Sequence, residues 1–96
     1  SYNKPFSEGM ILSNEPGYYK KNSFGIRIEN LIYVKKKSKN LYFENLTLAP
    51  LDKELINFSM LTSKEKMYLK NYNLKIYNNL KNFLSEKEKK WLKNLF

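Results

Sequence analysis

The stretch GIRIENLIYV (25–34) decides how this chain is built. It is rich in β-branched and aromatic residues, which fit a pleated, half-covered strand. Alternation with a period of two places Ile26, Ile28, Asn30 and Ile32 on one face and Arg27, Glu29, Leu31 and Tyr33 on the other. Arg27 and Glu29 therefore point the same way. Arg27 is also the sole arginine among 18 basic residues, in a chain that otherwise uses lysine. A lysine supplies charge, but only the planar guanidinium fork can hold carboxylates in a fixed orientation.

Upstream, GMIL (9–12) reads as a short apolar strand ended by the turn-forming SNEPG (13–17), and the opening SYNKPF (1–6) is polar and turn-like. The turn contains Glu15. If the two strands are neighbours, Glu15 and Glu29 can converge on one point, and converging carboxylates meet over a metal or a proton. Downstream, KKKSKN (35–40) has the length and polarity of a hairpin loop, and LYFENLTLA (41–49) alternates as a third strand.

After Pro50 the period becomes helical. Thr62 followed by Glu65, and Ser85 followed by Glu88, are capping boxes, in which hydroxyl and carboxylate satisfy the free N–H groups of a first turn. Leu69, Tyr72, Ile76, Leu80 and Phe83 form one apolar stripe, and Trp91, Leu92 and Leu95 form the next. The segment DKELINF (52–58) adds a helical turn. The expected fold class is α+β: antiparallel strands over about 9–49, then a helical hairpin over about 62–95. These stripes are packing surfaces, which leaves the strands to carry chemistry.

Composition narrows the function. Apolar residues make up 42% of the 96 positions, enough for a packed interior. No apolar run approaches the ~20 residues that span a bilayer, so a membrane partner is not expected. The net charge of +9 raises the question of nucleic acid. The lysines are spread along the whole chain, however, with a dense cluster only at Lys35, Lys36, Lys37 and Lys39. A dispersed lysine surface argues for solubility and against a phosphate-binding stripe. There is no Cys and no His. Disulfides, thiolate or serine–histidine nucleophiles and Cys/His zinc sites are thereby excluded from these residues. The absence of Cys fits a reducing compartment, and a cytoplasmic location is expected. What remains is hard oxygen chemistry, with Glu15 and Glu29 suited to manganese, magnesium or calcium.

Four blocks, GMILSNEPGYY (9–19), FGIRIENL (24–31), LYFENLTLAPLD (41–52) and LTSKEKMYLKNYN (61–73), resemble successive segments of the Xaa-Pro aminopeptidases, the aminopeptidase P family of pita-bread metallopeptidases. The likeness runs in order along nearly the whole chain and is greatest to the long, three-domain members. It implies that residues 1–52 are the C-terminal portion of the catalytic domain, and that 53–96 are a helical extension packing on it. It also implies roles. Glu15 resembles a glutamate that ligates one metal and shuttles a proton, and Glu29 one that bridges both metals. Arg27 resembles an arginine that orients the carboxylates, and Tyr19 an aromatic whose hydroxyl hydrogen-bonds within that network.

The resemblance further implies two divalent metal ions, manganese by expectation, a peptide substrate with proline at its second position, and a homodimer when complete. The family's two Asp and one His ligands, which precede the EPG block, have no counterpart here; the one Asp, Asp52, lies downstream. The chain is therefore expected to be a C-terminal part that needs the upstream part of its catalytic domain. By itself it should bind metal weakly or not at all and hydrolyse nothing. Two alternatives are a non-catalytic binding module derived from the same fold, which would have no need of either glutamate, and a small basic nucleic-acid binder, which would lose affinity steeply with salt and be indifferent to manganese.

Overall fold

A proline sets the pattern of the β half. The computed structural model describes residues 4–96; residues 1–3, the first half of SYNKPF, lie outside the described residues. Five strands come first, β1 (Ile11–Asn14), β2 (Gly17–Lys20), β3 (Phe24–Arg27), β4 (Asn30–Lys37) and β5 (Asn40–Asn45). They form a three-stranded antiparallel sheet in the order β1-β4-β5 and a separate β2-β3 pair. The chain divides into two compact units between Thr47 and Leu48.

The single strand expected over 25–34 is thus two strands in two sheets. In the β1–β4 ladder Ile11 faces Tyr33 and Asn14 faces Asn30, while in the β2–β3 ladder Gly17 faces Arg27 and Lys20 faces Phe24. Both ladders keep one register. The residues between them therefore oppose each other in turn, Glu15 against Glu29 and Pro16 against Ile28. The Ile28 N–H donates to the Pro16 carbonyl at 3.1 Å. The reciprocal bond cannot form because proline has no N–H. One long hairpin is interrupted, and the interruption comes from its partner strand.

Other boundaries shift for similar backbone reasons. The first strand begins at Ile11 instead of Gly9, since Gly9 (φ 88°) and Met10 both hydrogen-bond to Val34, at 2.8 and 2.9 Å. Two residues facing one make a bulge. Lys35, Lys36 and Lys37 are not loop residues but the end of β4, and the turn contracts to Ser38-Lys39, with Ser38 in the left-handed region at φ 56°. Ladder bonds need only backbone groups, and a lysine's flexible stem can carry its charge to the surface of the sheet. β5 stops at Asn45, short of the expected Ala49. Leu31 turns its carbonyl to the N–H groups of Leu46 and Thr47 (2.8 and 3.4 Å) and donates its own N–H to the Thr47 hydroxyl at 2.8 Å. A side chain thus replaces the next rung. Among the described residues of this unit Val34, in the middle strand, is the buried hydrophobic one, at 2% exposure.

One cross-strand cluster links this sheet to pH. The Tyr33 hydroxyl donates to Glu44 at 2.9 Å, and Lys35 Nζ lies 2.9 Å from the same oxygen. The hydrogen bond to Glu44, reinforced by its charge, raises both the Tyr33 phenol and the Lys35 ammonium above their ordinary values. Both groups hold their protons more tightly folded than unfolded. Their stabilisation is complete below the unfolded pKa values and is lost as pH rises through the folded ones. The denaturation midpoint of the chain is expected to fall above about pH 10, and Glu44→Gln should flatten that fall. Equal alkaline sensitivity in the two proteins would refute the assignment.

The second unit carries α1 (Ser63–Leu80) and α2 (Glu86–Asn94), preceded by 3-10 turns at Lys53–Leu55 and Phe58–Met60. Both capping boxes form as expected. Thr62 and Ser85 accept from the N–H groups of Glu65 and Glu88, whose carboxylates accept in return from the caps. The cap bonds hold the Glu88 carboxyl below its ordinary range. Asp52 caps the first 3-10 turn by accepting from the Glu54 N–H.

Tyr72, Ile76 and Leu92 make the core, with Leu48, Leu51, Leu69, Tyr77, Leu80, Leu84, Leu95 and Phe96 packed around it. The Tyr72 hydroxyl donates to the Ala49 carbonyl at 2.6 Å. Two stripe residues depart from expectation. Phe83 is 84% exposed, because residues Lys81–Phe83 tighten into a 3-10 turn that rotates it off the helical stripe. Trp91 is 63% exposed, one position from Leu92, which takes the core place.

Candidate metal-ligand face

Alternation along the interrupted hairpin sorts its side chains. Ser13, Glu15, Gly17 and Tyr19 share a face with Gly25, Arg27 and Glu29 on the returning strand. The other face is apolar, with Tyr18 and Phe24 in ring contact at 5.9 Å and Ile26 and Ile28 beside them. The chemistry-bearing residues are thereby gathered on one side.

Glu15 and Glu29 directly oppose each other, an arrangement that repels when both are ionised. Arg27 lies against both. Its Nη1 is 3.4 Å from Glu15 Oε2 and its Nε is 3.5 Å from Glu29 Oε2. Ser13 donates its hydroxyl to the other Glu15 oxygen at 2.9 Å. All three charged side chains are about half exposed, so the ion pairs contribute little to folding. One guanidinium between two carboxylates leaves a net negative charge on this spot, which favours a cation.

The residues predicted from sequence thus divide. Glu15, Arg27 and Glu29 are brought into contact. Tyr19 shares their face but makes no hydrogen bond to them among the described residues. Ser13 was not foreseen; a serine two residues before a glutamate carries no signal of its own until the strand direction is known. Two features bear on a metal. The donors are carboxylate oxygens, the ligand type of hard divalent cations. Their number is two, and among the described residues no group of three or more Asp, Glu, His or Cys comes together. The pair fits as part of a ligand set, and further ligands are needed to complete it.

Comparison with known proteins places the chain among metallopeptidases. Residues 1–36 match the family model described as metallopeptidase family M24, and residues 39–95 match that of the C-terminal region of peptidase_M24. A probable Xaa-Pro aminopeptidase P of Botryotinia fuckeliana is 42% identical over 92 residues, covering 88% of this chain and 14% of the relative. The putative Xaa-Pro aminopeptidase FRA1 of Saccharomyces cerevisiae is 41% identical over 96 residues, covering 95% and 13%. Among solved structures, the X-prolyl aminopeptidase of Caenorhabditis elegans, described as a cytosolic enzyme with a di-nuclear active site, superposes with a TM-score of 0.77 at 30% identity. That match covers 94% of this chain and 16% of the enzyme. The chain therefore spans about one seventh of the length of the curated relatives it matches.

Proposed function

The chain belongs to metallopeptidase family M24, and from that membership we propose that it forms the C-terminal part of an enzyme that removes the N-terminal residue from peptides with proline in second position. The observation that carries the reading is Arg27 lying between the opposed Glu15 and Glu29 of one hairpin register.

In this reading residues 1–52 end the catalytic domain and 53–96 are its helical extension. Glu15 and Glu29 would supply carboxylate oxygens to two divalent cations, manganese by preference. When bound, such a pair acidifies water and polarises the scissile carbonyl. Glu15 also accepts the proton of the attacking water and returns it to the leaving amine. The Ser13 hydroxyl occupies one Glu15 oxygen and so orients the carboxylate. Arg27 keeps two like charges from splaying apart, and Tyr19 offers its phenol on the same face without a hydrogen bond to the three charged residues. The remaining ligands come from polypeptide outside these residues. We place the enzyme in the cytosol and read its working state as a homodimer. No helix of the described residues is long and apolar enough to cross a membrane.

The test uses a full-length enzyme carrying this sequence, stripped of metal by chelation and re-supplied with manganese. Hydrolysis of an Xaa-Pro peptide should vanish on stripping and return with manganese, while a matched Xaa-Ala peptide stays uncut. The 96-residue chain should release no product from either. Cleavage that survives removal of metal would overturn the reading.

A further inference from the structure

Gly17 and Gly25 sit inside β2 and β3, where glycine weakens a strand. Neither adopts a positive φ; among the glycines only Gly9 does. Backbone conformation does not account for them, and close approach does. A Cβ at Gly25 would stand 2.6 Å from Cδ1 and 3.0 Å from Cε1 of Tyr19, and one at Gly17 would stand 2.7 Å from the Tyr19 hydroxyl and 2.9 Å from Cε2 and Cζ. Gly25 is the cross-strand partner of Tyr19, and Gly17 is the partner of Arg27. The ring therefore lies diagonally across bare backbone, from its own partner to the pair that carries the arginine.

We propose that Gly17 and Gly25 are positioning residues, a side-chain-free bed that holds the Tyr19 ring down on the carboxylate face and sets its hydroxyl at the Gly17–Arg27 pair. This rests on the reading of that face as catalytic. Tyr19 is two-thirds exposed, so burial does not orient it; the bed does. With a methyl group at position 25 the ring must rise by about 1 Å to reach ordinary contact, or swing away. Either movement takes the phenol from its place.

A double-mutant cycle in the metal-loaded full-length enzyme tests this, with kcat, KM and melting temperature read for each variant. Gly25→Ala is expected to lower kcat by roughly 10- to 100-fold, with KM changed much less. Tyr19→Phe should give a similar loss, and the two together should be no worse than either. Gly17→Ala, which meets only the tip of the ring, should reproduce the kcat loss with less effect on melting. A wild-type kcat in both glycine variants, or losses that multiply with Tyr19→Phe, would overturn the positioning role. The melting temperature separates the bed from the chemistry. Gly25→Ala should lower it in the presence of Tyr19 and raise it in a Tyr19→Ala background, where the clash is gone. If Tyr19→Phe keeps full activity while that sign reversal holds, the role assigned to the phenol fails and the bed stands as a purely structural device. If no reversal appears, the bed itself is refuted.

Discussion

Replacing Glu29 by Gln in a full-length enzyme carrying this sequence is expected to lower metal-dependent hydrolysis by about 10²- to 10³-fold or more, with Lys36→Ala close to wild type as the control. The substitution keeps the shape of the side chain and removes its charge. Gln offers one weak neutral oxygen where the carboxylate offered two charged ones, so both metal content and kcat should fall. Folding should not, because Arg27 and Glu29 are about half exposed and their ion pair spans 3.5 Å. Such a pair is worth about 0–1 kcal/mol. The change even removes a like-charge opposition across the hairpin. Metal content by elemental analysis, kcat/KM on an Xaa-Pro peptide and a melting curve together check the result. Equal activity losses in Glu29→Gln and Lys36→Ala would overturn the site, since Lys36 is an exposed residue of β4 paired with Leu41 in the ladder.

The second large effect concerns folding. Ile76→Ala empties the centre of the helical unit, where Ile76 has no exposed surface at all. Lost transfer energy and the cavity left behind make such a change cost about 2–5 kcal/mol. A unit of this size has only roughly 0.05–0.15 kcal/mol of stability per residue, so the helices should melt out at room temperature or a little above. Trp91→Ala removes a larger side chain but one that is 63% exposed. It should shift stability by about 0.5 kcal/mol or less. Far-UV circular dichroism of the 96-residue chain during thermal and urea unfolding distinguishes the two. Comparable destabilisation by both variants would mean that the core lies elsewhere.

The reading of Trp91 shows where sequence periodicity stops. Residues 91, 92 and 95 share an arc of about 100° on a helix, and the pattern does not say which of them stands at the exposed edge. Packing against Tyr72 and Ile76 selects Leu92. Phe83 fails for a different reason, a change of helix type at Lys81 that no spacing rule reports. The caps were legible because a capping box is local. Thr62 reaches Glu65, and Ser85 reaches Glu88, within a single turn.

The site divides along the same line. That Glu15, Arg27 and Glu29 belong together could be read from their residue types and from the resemblance of their motifs. That Glu15 and Glu29 face each other, with Arg27 against both, required the register shared by the two ladders. Ser13 and the two glycines gained meaning only from that register.

The sequence by itself determined the local features: the helix starts, a β half followed by a helical half, the hard-oxygen character of the donors, and the family. The tertiary structure decided where pairing lapses, because a ladder bond depends on both strands and the missing N–H belongs to Pro16, opposite Ile28. It decided which lysines are strand and which apolar residues are core, because both depend on neighbours remote in the chain. Propensity acts over a few residues and can be read from them; pairing and burial are properties of two segments at once.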